Sequence, residues 1–149
     1  MANPVCEVLL TDAPLQPAIS PNDGSGAVLD FFGVVRLLED NRDIVGIDYE
    51  SHRAMATHQL ERIAREAITK FGLGSAIVRH RLGFVPVGEP SVFVRTTSRN
   101  RLECYRANEW IMGITHDSEP IFTDQICRWP KQEAKLVANS ILNSVLEQA

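Results

Sequence analysis

The spacing of apolar positions along this chain switches between a strand-like and a helix-like period, and the switches mark out its elements. Residues 5–10 (Val-Cys-Glu-Val-Leu-Leu) predict a first strand. Pro14, Pro17 and Pro21 follow, then Asn22-Asp23-Gly24-Ser25-Gly26, which is loop chemistry. Residues 26–36 form an apolar run with Phe31 and Phe32 at its centre, and predict a strand buried on both faces. The segment 37–43 holds Glu39-Asp40-Asn41-Arg42-Asp43 and predicts an exposed turn or loop before a strand at 44–50.

From residue 54 to 71 the period becomes helical. Ala56, Leu60, Ile63, Ala64, Ala67, Ile68 and Phe71 make one apolar stripe, and Gly72 is a suitable stop. Strands are predicted at 75–80 and 91–97, the second alternating Val92, Val94 and Thr96 against Phe93, Arg95 and Thr97. A connection at 83–90 has room for short strands of its own. Asn100, followed three residues later by Glu103, predicts an N-cap. The helix it starts should run to about His116, burying Cys104, Ala107, Ile111 and Ile114. After a loop at 120–130, a last helix is predicted over 131–148, with Ala134, Val137, Ala138, Ile141, Leu142, Val145 and Leu146 on its apolar face. Strands and helices are not strictly interleaved. That order favours an α+β fold with a mixed, largely antiparallel sheet.

Composition narrows the function classes. At 149 residues the chain is expected to form a single domain, residues 1–149, with one core. A net charge of −4 offers no field for nucleic acid, so any anion must be held by local arginines. No apolar run reaches the roughly 18 residues of a membrane span. The first residues lack the basic start and apolar stretch of a signal peptide. Cys6, Cys104 and Cys127 are odd in number and far apart, which argues against a disulfide framework and fits a reducing cytoplasm. His52 and His58 miss a common helix face and have no cysteine nearby, so no metal is expected, and nothing calls for a cofactor. No serine sits in a nucleophile-elbow pattern.

Two groups of residues remain as chemistry. Arg36 ends an apolar strand, and is either a solvated edge residue or an anion ligand. In Ser98-Arg99-Asn100-Arg101 the free N–H groups of a helix start lie beside two guanidinium groups suited to phosphate. His116 either caps a helix C-terminus or acts as an acid or base, its ordinary pKa being about 6.5.

A set of short motifs ties these together: Gly26-Ala27-Val28, Gly33-x-Val35-Arg36, Tyr49-Glu50, His80-Arg81-x-Gly83 and Gly88-Glu89. They continue through Ser98-x-x-Arg101, Ile111-Met112 and Pro120-Ile121-Phe122. The chain so resembles the large, catalytic subunit of molybdopterin synthase. The resemblance implies an α/β hammerhead-like fold with a small extra strand subdomain, and a homodimer. It also implies transfer of two sulfurs to cyclic pyranopterin monophosphate from the thiocarboxylated Gly-Gly tail of a small ubiquitin-like partner. On this basis Arg36 and Arg101 share one anionic substrate pocket, with Gly33 keeping the approach open and Met112 lining it. Arg99 and Asn100 flank the phosphate, Asn100 standing where the family has histidine. Gly83 and Gly88 permit turns, and Glu89 ties a strand end.

The family's two catalytic lysines correspond to His116 and Thr123. Thr123 cannot carry an ammonium charge, and Asp124 beside it is negative. Arg128, Lys131 and Lys135 are nearby cations, and Arg128-Trp129 stands where the family has further pocket residues. Loss of both lysines also fits a non-catalytic relative that binds pterin phosphate or a ubiquitin-like tail as a regulator or adaptor. The final helix is expected to cover its stripe on its own domain or a dimer mate in preference to the partner groove.

Overall fold

The computed structural model describes residues 3–19, 24–117 and 121–128. The predicted helix at 131–148, with Trp129, Lys131 and Lys135, lies outside the described residues. Ten elements follow in order: β1 (Val5–Thr11), β2 (Ala27–Val34), β3 (Leu38–Glu39), β4 (Arg42–Glu50), α1 (Arg53–Phe71), β5 (Ser75–Arg81), β6 (Gly83–Pro86), β7 (Pro90–Ser98), α2 (Arg101–Asp117) and β8 (Thr123–Arg128). The main sheet has the order β1-β5-β7-β2, with β1 parallel to β5 and the other pairs antiparallel. The smaller sheet is β3-β4-β6, with β8 also paired to β4. The α+β architecture with an extra strand unit is therefore as expected.

α1 forms where the 3.6-residue stripe lies. His52 caps it, its Nδ1 accepting from the Met55 N–H at 3.2 Å, and Gly72 ends it in the left-handed region at φ 64°. Leu60, Ile63, Ala64 and Ala67 of α1 join Ala107 and Ile111 of α2 on one face of the main sheet, against Ala76, Val78, Val92 and Val94. The opposite face is thinner: Ile77 and Phe93 lie under Leu15 of the β1–β2 connection. Among the described residues no helix is long and apolar enough to cross a membrane.

Three local expectations change. β2 is not buried on both faces. It is the edge strand, and Val28, Phe31, Phe32 and Val34 all remain at least 37% exposed. The doubly buried strand is β7, whose polar letters concealed it. Thr97 Oγ1 bonds Ser75 Oγ at 2.7 Å, Thr96 donates to the Cys104 carbonyl, and Arg95 forms a two-point pair with Asp30. Each polar group is satisfied inside the sheet, so burial costs little. The 37–43 loop is the β3–β4 hairpin, turning at Asp40 and Asn41 with φ of 51° and 60°. Lastly, part of the 120–130 loop is β8, which pairs with β4 from Glu50↔Thr123 to Ile44↔Arg128. Ile126 alone packs inward there, leaving too weak an alternation to read.

The Arg95–Asp30 pair is the deepest ion pair described, with Arg95 6% exposed. Its guanidinium also donates to the Ala18 and Ile19 carbonyls, holding the connection down on the sheet. Asp30→Ala leaves that charge buried without its partner. The expected loss is about 3 kcal/mol of unfolding free energy in a urea titration.

Candidate active-site groove

β2 and α2 lie side by side, and an open groove of about 1080 Å³ runs between them. From β2 come Leu29 and Phe31. From α2 come Tyr105, Asn108, Met112 and His116 in successive turns, and Phe71 and Trp110 close one end as a T-shaped pair. The walls are chiefly apolar. Such a groove suits an extended chain with small side chains.

The structure thus brings Met112 and His116 together, one helical turn apart. His116 is exposed at the last turn of α2, where the helix field favours a positive ring. Thr123 stands at the start of β8 opposite Glu50 and is not among the groove's lining residues.

Arg36 is highly exposed and forms an ion pair with Glu39 at 2.9 Å, also donating through Nε at 3.2 Å. Surface pairs of this kind are weak, about 0 to 1 kcal/mol, so the guanidinium can turn to another anion at small cost. Arg99, Asn100 and Arg101 are exposed together at the entrance to α2. The Ser98 hydroxyl fixes the backbone there: it accepts from the Asn100 N–H at 3.0 Å and donates to the Asn100 carbonyl at 2.7 Å. Among the described residues the Asn100 amide side chain makes no hydrogen bond, so the expected side-chain cap does not form. Glu103 puts a carboxylate in the same first turn.

Within one chain, Arg36 and Arg101 do not meet. Ala27 pairs with Ser98 at one end of β2 and Val34 with Pro90 at the other, so the two arginines flank opposite ends. At strand rise that separation is about 23 Å. Gly33 also has a packing role. A Cβ there would stand 2.5 Å from Val92 Cγ1, so the glycine admits the neighbouring strand. Gly26 likewise admits the Arg99 carbonyl. Gly83 and Gly88 take the predicted turns at φ of 80° and 89°, and Glu89 ties Arg81 at 3.0 Å. Of Arg128 only the backbone pairing with β4 is described.

Beneath the end of α2 lies an aromatic stack. His80 is 1% exposed, its ring face-to-face with Phe122 at 3.8 Å and edge-on to Tyr49 at 5.0 Å. Its Nδ1 donates to the Arg81 carbonyl at 2.8 Å in the neutral tautomer, leaving Nε2 buried without a hydrogen-bond partner. Burial first, and the nearby His116 in smaller part, lower its pKa to about 4, although the Arg81 carbonyl pulls the other way. The unfolded chain therefore binds this proton more readily than the folded one, and stability falls as pH drops from 6.5 towards 4. Between pH 7.5 and pH 5 the expected loss is about 2 kcal/mol. Denaturation of the unaltered chain against His80→Phe at both pH values checks it, since the variant lacks this dependence.

Phe31, Tyr105 and Trp110 were missed as lining residues. The Phe31-Phe32 doublet held a usable signal, because strand alternation must send one ring to each face. Phe32 turns away and packs on Phe93 at 4.9 Å, while Phe31 enters the groove. Among the described residues no cluster of His, Cys, Asp and Glu is placed to hold a metal ion.

Comparison with known proteins places this chain in a family. The family described as MoaE protein matches residues 7–115. The molybdopterin synthase catalytic subunit of Emericella nidulans is 39% identical over 103 residues, covering 69% of this chain and 52% of that protein. The chain thus spans about half the length of that relative. Among solved structures, molybdopterin synthase from Staphylococcus aureus superposes with a TM-score of 0.75 at 24% identity, covering 82% of this chain and 91% of that one. The complex of subunits 1 and 2 of molybdopterin-converting factor from Helicobacter pylori gives a TM-score of 0.59 at 19% identity, covering 86% and 92%. The chain belongs to the MoaE family, that of the molybdopterin synthase catalytic subunit.

Proposed function

We propose that this chain is the large subunit of a sulfur-transfer enzyme in molybdenum cofactor biosynthesis, working as a cytoplasmic homodimer. Its substrate is cyclic pyranopterin monophosphate, and its sulfur donor is the thiocarboxylated Gly-Gly tail of a small ubiquitin-like subunit. The observation that carries this reading is the groove in which Phe31, Met112 and His116 converge beside an unpaired strand edge. A Gly-Gly tail has no side chains and fits between apolar walls. His116 then stands where charge develops on the tail's terminal carbonyl. In each transfer the thiocarboxylate sulfur bonds to a substrate carbon while that carbon's bond to an oxygen breaks, the oxygen leaving with the electron pair. Water then cleaves its bond to the tail's acyl carbon, returning a carboxylate.

The dimer supplies what one chain lacks. Among the described residues β2 pairs with β7 on one side only, and its Val28, Phe31, Phe32 and Val34 side chains are exposed. Two copies meeting antiparallel through β2 about a twofold axis set the Val34 end of one strand beside the Ala27 end of the other. Arg36 of one protomer then shares a pocket with Arg101 of its partner, and the pair holds the substrate phosphate. The purified chain, mixed with thiocarboxylated small subunit and substrate, is expected to give the two-sulfur product slowly, with mass spectrometry counting the sulfurs. Tight binding of both with no product in prolonged incubation refutes the enzymatic reading.

A further inference from the structure

His80 touches neither substrate nor groove in the arrangement above, yet it stands between the two positions that carry lysine in the family. Its ring stacks on Phe122 at 3.8 Å with an interplanar angle of 15°, and Phe122 is the residue before Thr123. On another side it lies within electrostatic reach of His116 at the end of α2. Its edge-on contact with Tyr49 joins it to β4, the strand on which β8 is laid. A purely space-filling residue here would be apolar. Instead the chain keeps an imidazole with one nitrogen bonded to the next residue's carbonyl and the other buried without a partner. The bond from Nδ1 fixes the ring plane, and the ring plane fixes Phe122.

We propose that His80 is a positioning residue: its oriented ring holds Phe122, and so sets where residue 123 stands relative to His116. This rests on the sulfur-transfer reading for its consequence, but its physical content is separate.

Two replacements isolate the ring. H80F keeps a flat ring, H80L keeps apolar bulk without one, and both lose the bond to the Arg81 carbonyl. In a T123K background, H80L is expected to lower kcat on the order of tenfold or more, because a small misplacement of a reacting group is costly. H80F, which keeps the ring but not the bond that sets its plane, should fall by a smaller factor of about threefold, with KM for the pterin unmoved in both. In an H116K background, H80L should change kcat by no more than about twofold. Equal losses from H80L and H80F, or equal losses in the two backgrounds, overturn the proposal.

Amide hydrogen exchange across 121–128 judges the same point without turnover. H80L should speed exchange there by about tenfold relative to H80F, with β7 amides unchanged. If no lysine-bearing variant makes product, the sulfur-transfer reading fails, and exchange alone decides the role of His80. Unaltered exchange in H80L then refutes it.

Discussion

With lysine at both positions, the H116K/T123K protein is expected to transfer sulfur on the order of a hundred times faster than the unaltered chain. The two changes should contribute unequally. His116 already places an imidazole at the groove, so H116K mainly converts a titratable charge into a permanent one. Thr123 offers only a hydroxyl, and Asp124 follows it with a charge of the wrong sign. T123K should therefore give the larger single gain. The groove's apolar walls strengthen any ammonium that reaches the reacting carbonyl. Single-turnover rates with a preformed thiocarboxylate measure the effect directly. A double variant no faster than the parent shows that another group of the chain already fills the role.

Mixing two inactive dimers is expected to restore activity. R36A and R101A should each lose most phosphate binding, since a two-point charged contact contributes roughly 1.5–3 kcal/mol for each hydrogen bond. If Arg36 of one protomer works with Arg101 of the other, a mixed dimer contains one site with both arginines and one with neither. After subunit exchange about half the dimers are mixed, so about a quarter of all sites recover. A pocket confined to one chain recovers none. Tagged subunits purified as the mixed species, assayed beside the parents, separate the two outcomes. The 23 Å estimate within one chain and the open edge of β2 both favour recovery.

Much of the fold was legible because the helical stripes are clean. Leu60, Ile63, Ala64 and Ala67 could face only one way, and Gly72 fell where a left-handed residue was required. Strands were harder to place in the sheet. β2 and β7 exchanged their expected burial, since an edge strand carries apolar side chains into the open, while β7 buries Thr97 and Arg95 through partners far away in sequence. The site was half legible. Met112 and His116 lie four residues apart on a recognisable helix, so their meeting followed from periodicity. Arg36 and Arg101 were each legible as anion ligands, but their sharing of one pocket followed only from resemblance, since no pattern along one chain reports how two such ends are brought together. Phe31 was visible as half of a doublet whose two faces were not assigned.

The connectivity of the main sheet also bears on how the protein is made. Val5 waits for Ser75, and Ala27 for Ser98, before either outer strand has a neighbour. Such long loop closures slow folding, and a nascent chain stopped before residue 90 would carry β2 as a sticky, unpaired ribbon. The apolar rim exposed along β2 is therefore also the segment most prone to aggregate during synthesis. Low temperature or slow translation should raise the soluble yield more for this chain than for one whose outer strands pair locally.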